Sequence, residues 1–125
     1  MRNRLVKNFR DLKVWTKAHQ LALNIYHVSK SFPKEEQFGI TSQIRRAALS
    51  IPTNIAEGCG RGSDSDFARF IQIAFGSASE VEYQIFFCRE LNFIQENIYS
   101  TLSNDVVEIK KSLTALLKKL RTDSR

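Results

Sequence analysis

Residues 38–61, FGITSQIRRAALSIPTNIAEGCGR, constrain the fold more than any other stretch, because an apolar helical rhythm runs through a proline and stops among glycines. Ile40, Ile44, Ala47, Ala48, Ile51, Ile55 and Ala56 recur three and four apart, which puts them on one stripe of an α-helix. Such a stripe has to be covered by other elements. Pro52 lacks an N–H and its ring crowds the Ala48 carbonyl, so an interior position costs about 3 kcal/mol unless neighbours compensate. One helix could end near Ser50 and a second begin with Pro52 in its first turn, where the missing N–H does no harm. The apolar stripe keeps its phase across the proline, which favours a single helix over about 39–58, kinked at Pro52. Asn54 and Glu57, just beyond it, are placed to bond backbone groups the proline leaves unpaired.

The remaining chain supplies three partners. Trp15, Ala18, Ala22 and Ile25, widened by Leu21 and Val28, predict a first helix over about 12–31 that stops before Phe32-Pro33. Lys34 to Gln37 is a short polar connector, so the next helix packs roughly antiparallel. Gly58, Gly60 and Gly62 close the second helix, with one of them expected in the left-handed conformation. Ser63 followed by Asp66 resembles a capping box and opens a third helix over about 64–91. Its seam, Phe67, Ile71, Ala74, Ala78, Val81, Ile85 and Cys88, is a heptad, flanked by Phe70, Ile73 and Phe87. Gly76 to Ser79 permit another backbone to come close. A fourth helix over about 98–120 carries Tyr99, Leu102, Val106, Ile109, Leu113, Leu116 and Leu120. No strand pattern is present. The expectation is all-α, an up-down-up-down left-handed four-helix bundle forming a single domain over 1–125.

The 125 residues suffice for a core without metal or disulfide staples, and with 42% hydrophobic and 26% charged residues they read as an ordinary globular chain. No apolar run approaches the length of a membrane span and no secretory leader is evident, so a cytoplasmic protein is expected. Cys59 and Cys88 fit no metal spacing and read as reduced, structural thiols. The net charge of +6 is segregated: residues 1–13 carry +4 and residues 110–125 carry +5, leaving −3 for the middle.

Chemistry is sparse. His19 and His27 sit in no ligand spacing, and the glycine cluster at 58–62 follows a helix rather than the strand a dinucleotide fingerprint requires. Glu57 and Glu80 could pair across helices, but the Glu-x-x-His motifs of a di-iron bundle are missing. They are expected instead in a buried or interfacial network with Asn54, Tyr83, Arg45 or Arg46. At least one of Arg45 and Arg46 should face an acidic neighbour, Glu80 or Glu82, or a partner molecule. No enzyme activity, cofactor or metal is therefore expected. The basic ends, Arg2, Arg4, Lys7 and Arg10 with Lys110, Lys111, Lys118, Lys119 and Arg121, could lie side by side as one positive surface for phosphates, or simply offset a helix dipole and keep the chain soluble.

DLKVWTKAH at 11–19, SFPKEEQFGITSQIRRAALSIPTNIAEG at 31–58 and DFARFIQIAFGSASEVEYQI at 66–85 resemble the four-helix-bundle family first noted as proteins encoded in intervening sequences of large-subunit ribosomal RNA genes. The resemblance covers roughly residues 11–91, with the last helix alike only in pattern. It implies an up-and-down bundle assembled as a homopentamer, a bacterial cytoplasmic setting and no known enzymatic activity. A related group, accessory proteins of diversity-generating retroelements, implies basic pentameric barrels that engage a reverse transcriptase and nucleic acid. Two functions follow as expectations. The first is an oligomer binding nucleic acid, RNA favoured, through its basic ends; the second is a structural or adaptor oligomer whose partner is a protein such as a reverse transcriptase.

Overall fold

The computed structural model describes residues 8–123 of the chain. Four helices follow one another: α1 (Lys13–Ser29), α2 (Ile40–Cys59), α3 (Asp64–Glu90) and α4 (Glu96–Asp123). A 3-10 turn at Phe9–Asp11 precedes α1, and another at Lys34–Glu36 fills the connector to α2. Each helix packs on its sequence neighbours and α1 closes against α4, with no diagonal contact among the described residues. The fold is an all-α four-helix bundle. Short connections make each neighbour antiparallel to the last, so the start of α1 and the end of α4 share one end of the molecule.

The apolar stripes account for this packing. All seven residues of the α3 seam, from Phe67 to Cys88, are buried, as are Leu102, Val106, Ile109, Leu113 and Leu120 of α4. Leu21 and Ile25 of α1 meet Ile44, Ala48, Ile51 and Ile55 of α2 in the same core. The flanking apolar residues of α3 do not all go inside: Phe70 is buried, while Ile73 and Phe87 are exposed.

α2 is continuous through Pro52, which is itself buried. Side chains cluster on the turn that precedes the proline: Thr53 Oγ1 donates to the Leu49 carbonyl at 2.8 Å, and Asn54 Nδ2 to the Ser50 carbonyl at 2.9 Å. Asn54 therefore serves its own helix, but at the Ser50 carbonyl rather than at the Ala48 carbonyl that Pro52 leaves without a donor. Glu57 does not; it is exposed, with its carboxylate 3.8 Å from Arg61.

Helix ends correct one expectation. No described glycine has a positive φ, and Gly60 caps α2 in a right-handed conformation. Gly58 is required by packing instead: a Cβ there would lie 2.8 Å from Phe70 Cβ and 2.9 Å from Phe67 Cδ1. The left-handed residue is Asn92, at φ 63°. The Phe93 N–H reaches the Cys88 carbonyl and the Asn92 N–H the Arg89 carbonyl, both at 2.9 Å, which closes α3 as a Schellman motif. α4 then begins at Glu96, ahead of the expected start near 98. At the other end of α3, Ser63 Oγ accepts from the Asp66 N–H at 3.1 Å, the expected cap.

Candidate nucleic-acid interface and polar network

The C-terminal part of α4 carries Lys110, Lys111, Lys118, Lys119 and Arg121 with no carboxylate between residues 109 and 122. Heptad packing buries Leu113, Leu117 and Leu120, so the intervening lysines are forced outward. Lys111, Lys118 and Lys119 are exposed. Lys110 turns toward α3, its Nζ 2.8 Å from Glu82 and 5.1 Å from the centre of the Phe75 ring. Arg121 also reaches α3, donating to Gln72 Oε1 at 3.1 Å. The last carboxylate before this stretch, Glu108, is held by Lys17 of α1 at 2.8 Å, and that bond keeps its pKa below the usual glutamate value.

Arg10 lies in the turn before α1, its guanidinium 4.4 Å from the centre of the Phe9 ring. The up-and-down path thus places Arg10 at the same end as Lys118 and Lys119. Arg61 and Arg69 belong there too, both 4.7 Å from the Phe70 ring. Arg2, Arg4 and Lys7 lie outside the described residues.

The residues expected to form a polar network separate. Arg45 faces α1, where its Nε donates to Ser29 Oγ at 2.7 Å, its second nitrogen to the Tyr26 carbonyl at 3.3 Å, and its guanidinium lies over the Tyr26 ring. It caps the last turn of α1, whose carbonyls carry partial negative charge. Neither arginine pairs with Glu80 or Glu82 in the expected way: Glu82 is taken by Lys110, and Glu80 accepts from Gln84 Nε2 at 3.2 Å. Glu57 and Glu80 are both exposed and are not brought together.

Arg46 and Glu80 line the same groove between α2 and α3, about 470 Å³, with Phe38, Ser42, Ser50 and Ser77. Ser50 Oγ and Ser77 Oγ, both in its lining, are 2.9 Å apart. The spacing of residues on single helices could not reveal this pair, because it depends on the relative register of α2 and α3.

Cys59 and Cys88 are buried and form no disulfide. Burial, with the Glu36 charge adding to it, pushes Cys88 up to about 11, so it stays protonated at neutral pH. His19 stacks on Trp15 rather than joining other metal-binding side chains, and no described helix is long and apolar enough to cross a membrane.

With this geometry in view, the sequence profile of the 23S rRNA-intervening sequence proteins matches residues 10–115. The chain belongs to that family. The match takes in α1, α2, α3 and most of α4, further than the blocks at 11–91, and ends ahead of Lys118, Lys119 and Arg121. A solved structure similar to this member of the 23S rRNA-intervening sequence proteins is a protein of unknown function from the S23 ribosomal protein family of Bacteroides thetaiotaomicron. It is 31% identical, superposes with a TM-score of 0.78, and the alignment covers 84% of this chain and 95% of that one. No curated protein sequence matches.

Proposed function

We propose that this protein is a non-enzymatic, oligomeric nucleic-acid-binding module of bacterial cytoplasm that takes RNA in preference and grips its phosphates through the basic end of the bundle. The observation that carries this reading is the carboxylate-free stretch of α4 in which Lys111, Lys118 and Lys119 are exposed and make no ion pair among the described residues. Arg10 supplies a further cation from the turn before α1. Lysines pointing into solvent neutralise phosphates by displacing condensed counterions, and they read little sequence.

Binding of a structured RNA should weaken linearly in log K against log salt. The K111Q/K118Q/K119Q variant, which leaves the Lys110–Glu82 pair intact, should flatten that slope by about 2–3, because it neutralises up to three fewer phosphates. Absence of binding at low salt would overturn the reading.

A second reading, an adaptor whose partner is a protein such as a reverse transcriptase, draws support from Ile73, Tyr83, Phe87 and Leu91, which leave apolar surface exposed along α3. Recovery of one protein partner after nuclease treatment would favour it. In either reading that face is the natural contact for assembly, with a homopentamer as the expected form.

A further inference from the structure

Beside the basic end runs a ladder of rings. Phe9 packs against Trp15 with centroids 4.7 Å apart, and Trp15 stacks on His19 at 4.9 Å with the planes only 6° from parallel. The i, i+4 spacing of Trp15 and His19 brings them together on one face of α1. His19 is exposed, the Trp15 indole covers one side of its ring, and no other ring, ion pair or hydrogen bond engages it among the described residues. The same face continues to Tyr26, also exposed, with Arg45 4.9 Å from its ring centre.

The electrostatics of this side are mixed, with cations in excess. Arg10 and Lys13 stand beside Asp11 at the start of α1, Lys17 is paired with Glu108 of α4 at 2.8 Å, and α2 contains Arg45 and Arg46 against Glu57 alone, whose carboxylate is 3.8 Å from Arg61. The remaining α-helical carboxylates are on α3 and α4. A stacking surface edged by cations is the combination that holds single strands, because every base has a π-face and every nucleotide a phosphate. A neutral peptide would use the rings but not the charge, and duplex would use the charge but hide its bases.

We infer that the His19 end of the Phe9–Trp15–His19 ladder is a stacking platform for an unpaired nucleobase, so that the ligand is a nucleic acid with a single-stranded segment whose phosphates lie toward Arg10 and the α4 lysines. This rests on the proposed nucleic-acid function and specifies the form of its ligand.

Trp15 is the sole tryptophan, which makes its emission a reporter of the ladder. Titration with a short single-stranded oligoadenylate should quench it, and a blunt RNA duplex of equal length should not. H19A should lose about tenfold in affinity for the single strand, the scale of one stacked base, with duplex affinity unchanged. H19F, which keeps a ring, should restore most of the loss. The K111Q/K118Q/K119Q variant should weaken both ligands. Equal single-strand and duplex affinities with unchanged Trp15 emission, or an H19A variant that binds the single strand like wild type, would overturn the platform while leaving the nucleic-acid reading intact. Failure of both ligands to bind at low salt would overturn the two together.

Discussion

Gly58 and Gly76 show how differently one residue type can be used. Gly58 lies where a Cβ would collide with Phe67 and Phe70, whereas nothing stands within 4 Å of a Cβ built on Gly76. Alanine normally stabilises a helix interior over glycine by roughly 0.5–1 kcal/mol. G76A should therefore raise the stability of the isolated subunit by about that amount. At Gly58 the clash involves ring and Cβ atoms that cannot swing away, and overpacking of about 1–3 kcal/mol outweighs the propensity gain. G58A should lower the urea midpoint, and equal effects at the two sites would show that the α2–α3 approach is not as close as described. Asp105 permits a second prediction. Burial, and after it the Glu108 charge, hold its carboxyl above the ordinary aspartate value, with Lys17 acting the other way. A carboxyl whose folded pKa lies above its unfolded one binds its proton more tightly in the native state, so its contribution becomes less favourable as pH rises through that window. D105N should accordingly raise Tm at pH 7, and the gain should shrink as pH falls below the usual aspartate range. Thermal melts of wild type and variant at pH 7 and pH 3 read this directly, and a D105N variant with a lower Tm at pH 7 would refute it.

At the level of the helices, α2 and α3 are joined by more than their apolar seams. Ser50 Oγ, 2.9 Å from Ser77 Oγ, also accepts from Asn54 Nδ2 at 2.9 Å, so one hydroxyl links the turn before Pro52 to the middle of α3. The coupling between S50A and S77A in a double-mutant cycle should be about 0.5–1.5 kcal/mol, the net value of a hydrogen bond in a partly buried site. Additive single effects would show that the two hydroxyls act separately. The contrast between seam and link explains what could be read from the sequence. Phe67 through Cys88 announce their burial by spacing alone, since a heptad on a helix has one inward direction whatever its neighbour is. The partner of Arg45 depends on which helix packs beside α2 and in what register. Spacing could not choose between Glu80, Glu82 and the Ser29 hydroxyl at the end of α1. The same limit hid the cause of the Gly58 requirement: a glycine cluster after a helix reads as a cap, and only the approach of Phe67 and Phe70 shows that packing selects it.

For the whole molecule, the bundle folds the start of α1 and the end of α4 to one end, so Arg10 and Lys13 share that end with Lys118 and Lys119 although they are far apart in sequence. Basic composition alone could locate neither Lys110 against Glu82 nor Lys111, Lys118 and Lys119 in solvent, since the outward positions of α4 follow from which of its residues α1 and α3 cover. α3 has the opposite imbalance. Its outward positions include Ile73, Tyr83, Phe87 and Leu91, with Tyr83 63% exposed, and Gly76 in the same stripe leaves room for a close approach. Ile73, Gly76, Glu80, Tyr83 and Phe87 repeat three and four apart, a second heptad nearly opposite the first, and a helix apolar on two sides is normally buried on both. A contiguous exposed stripe of this kind marks a contact surface, and a second copy of the chain is the partner always present at matching concentration. The wild-type protein is therefore expected to be oligomeric at micromolar concentration by light scattering. I73E/F87E, which places two carboxylates in the stripe without touching the core, should be monomeric with an unchanged helical circular dichroism signal. A wild-type monomer, or a variant that assembles as wild type does, would mean that this face is not the assembly surface.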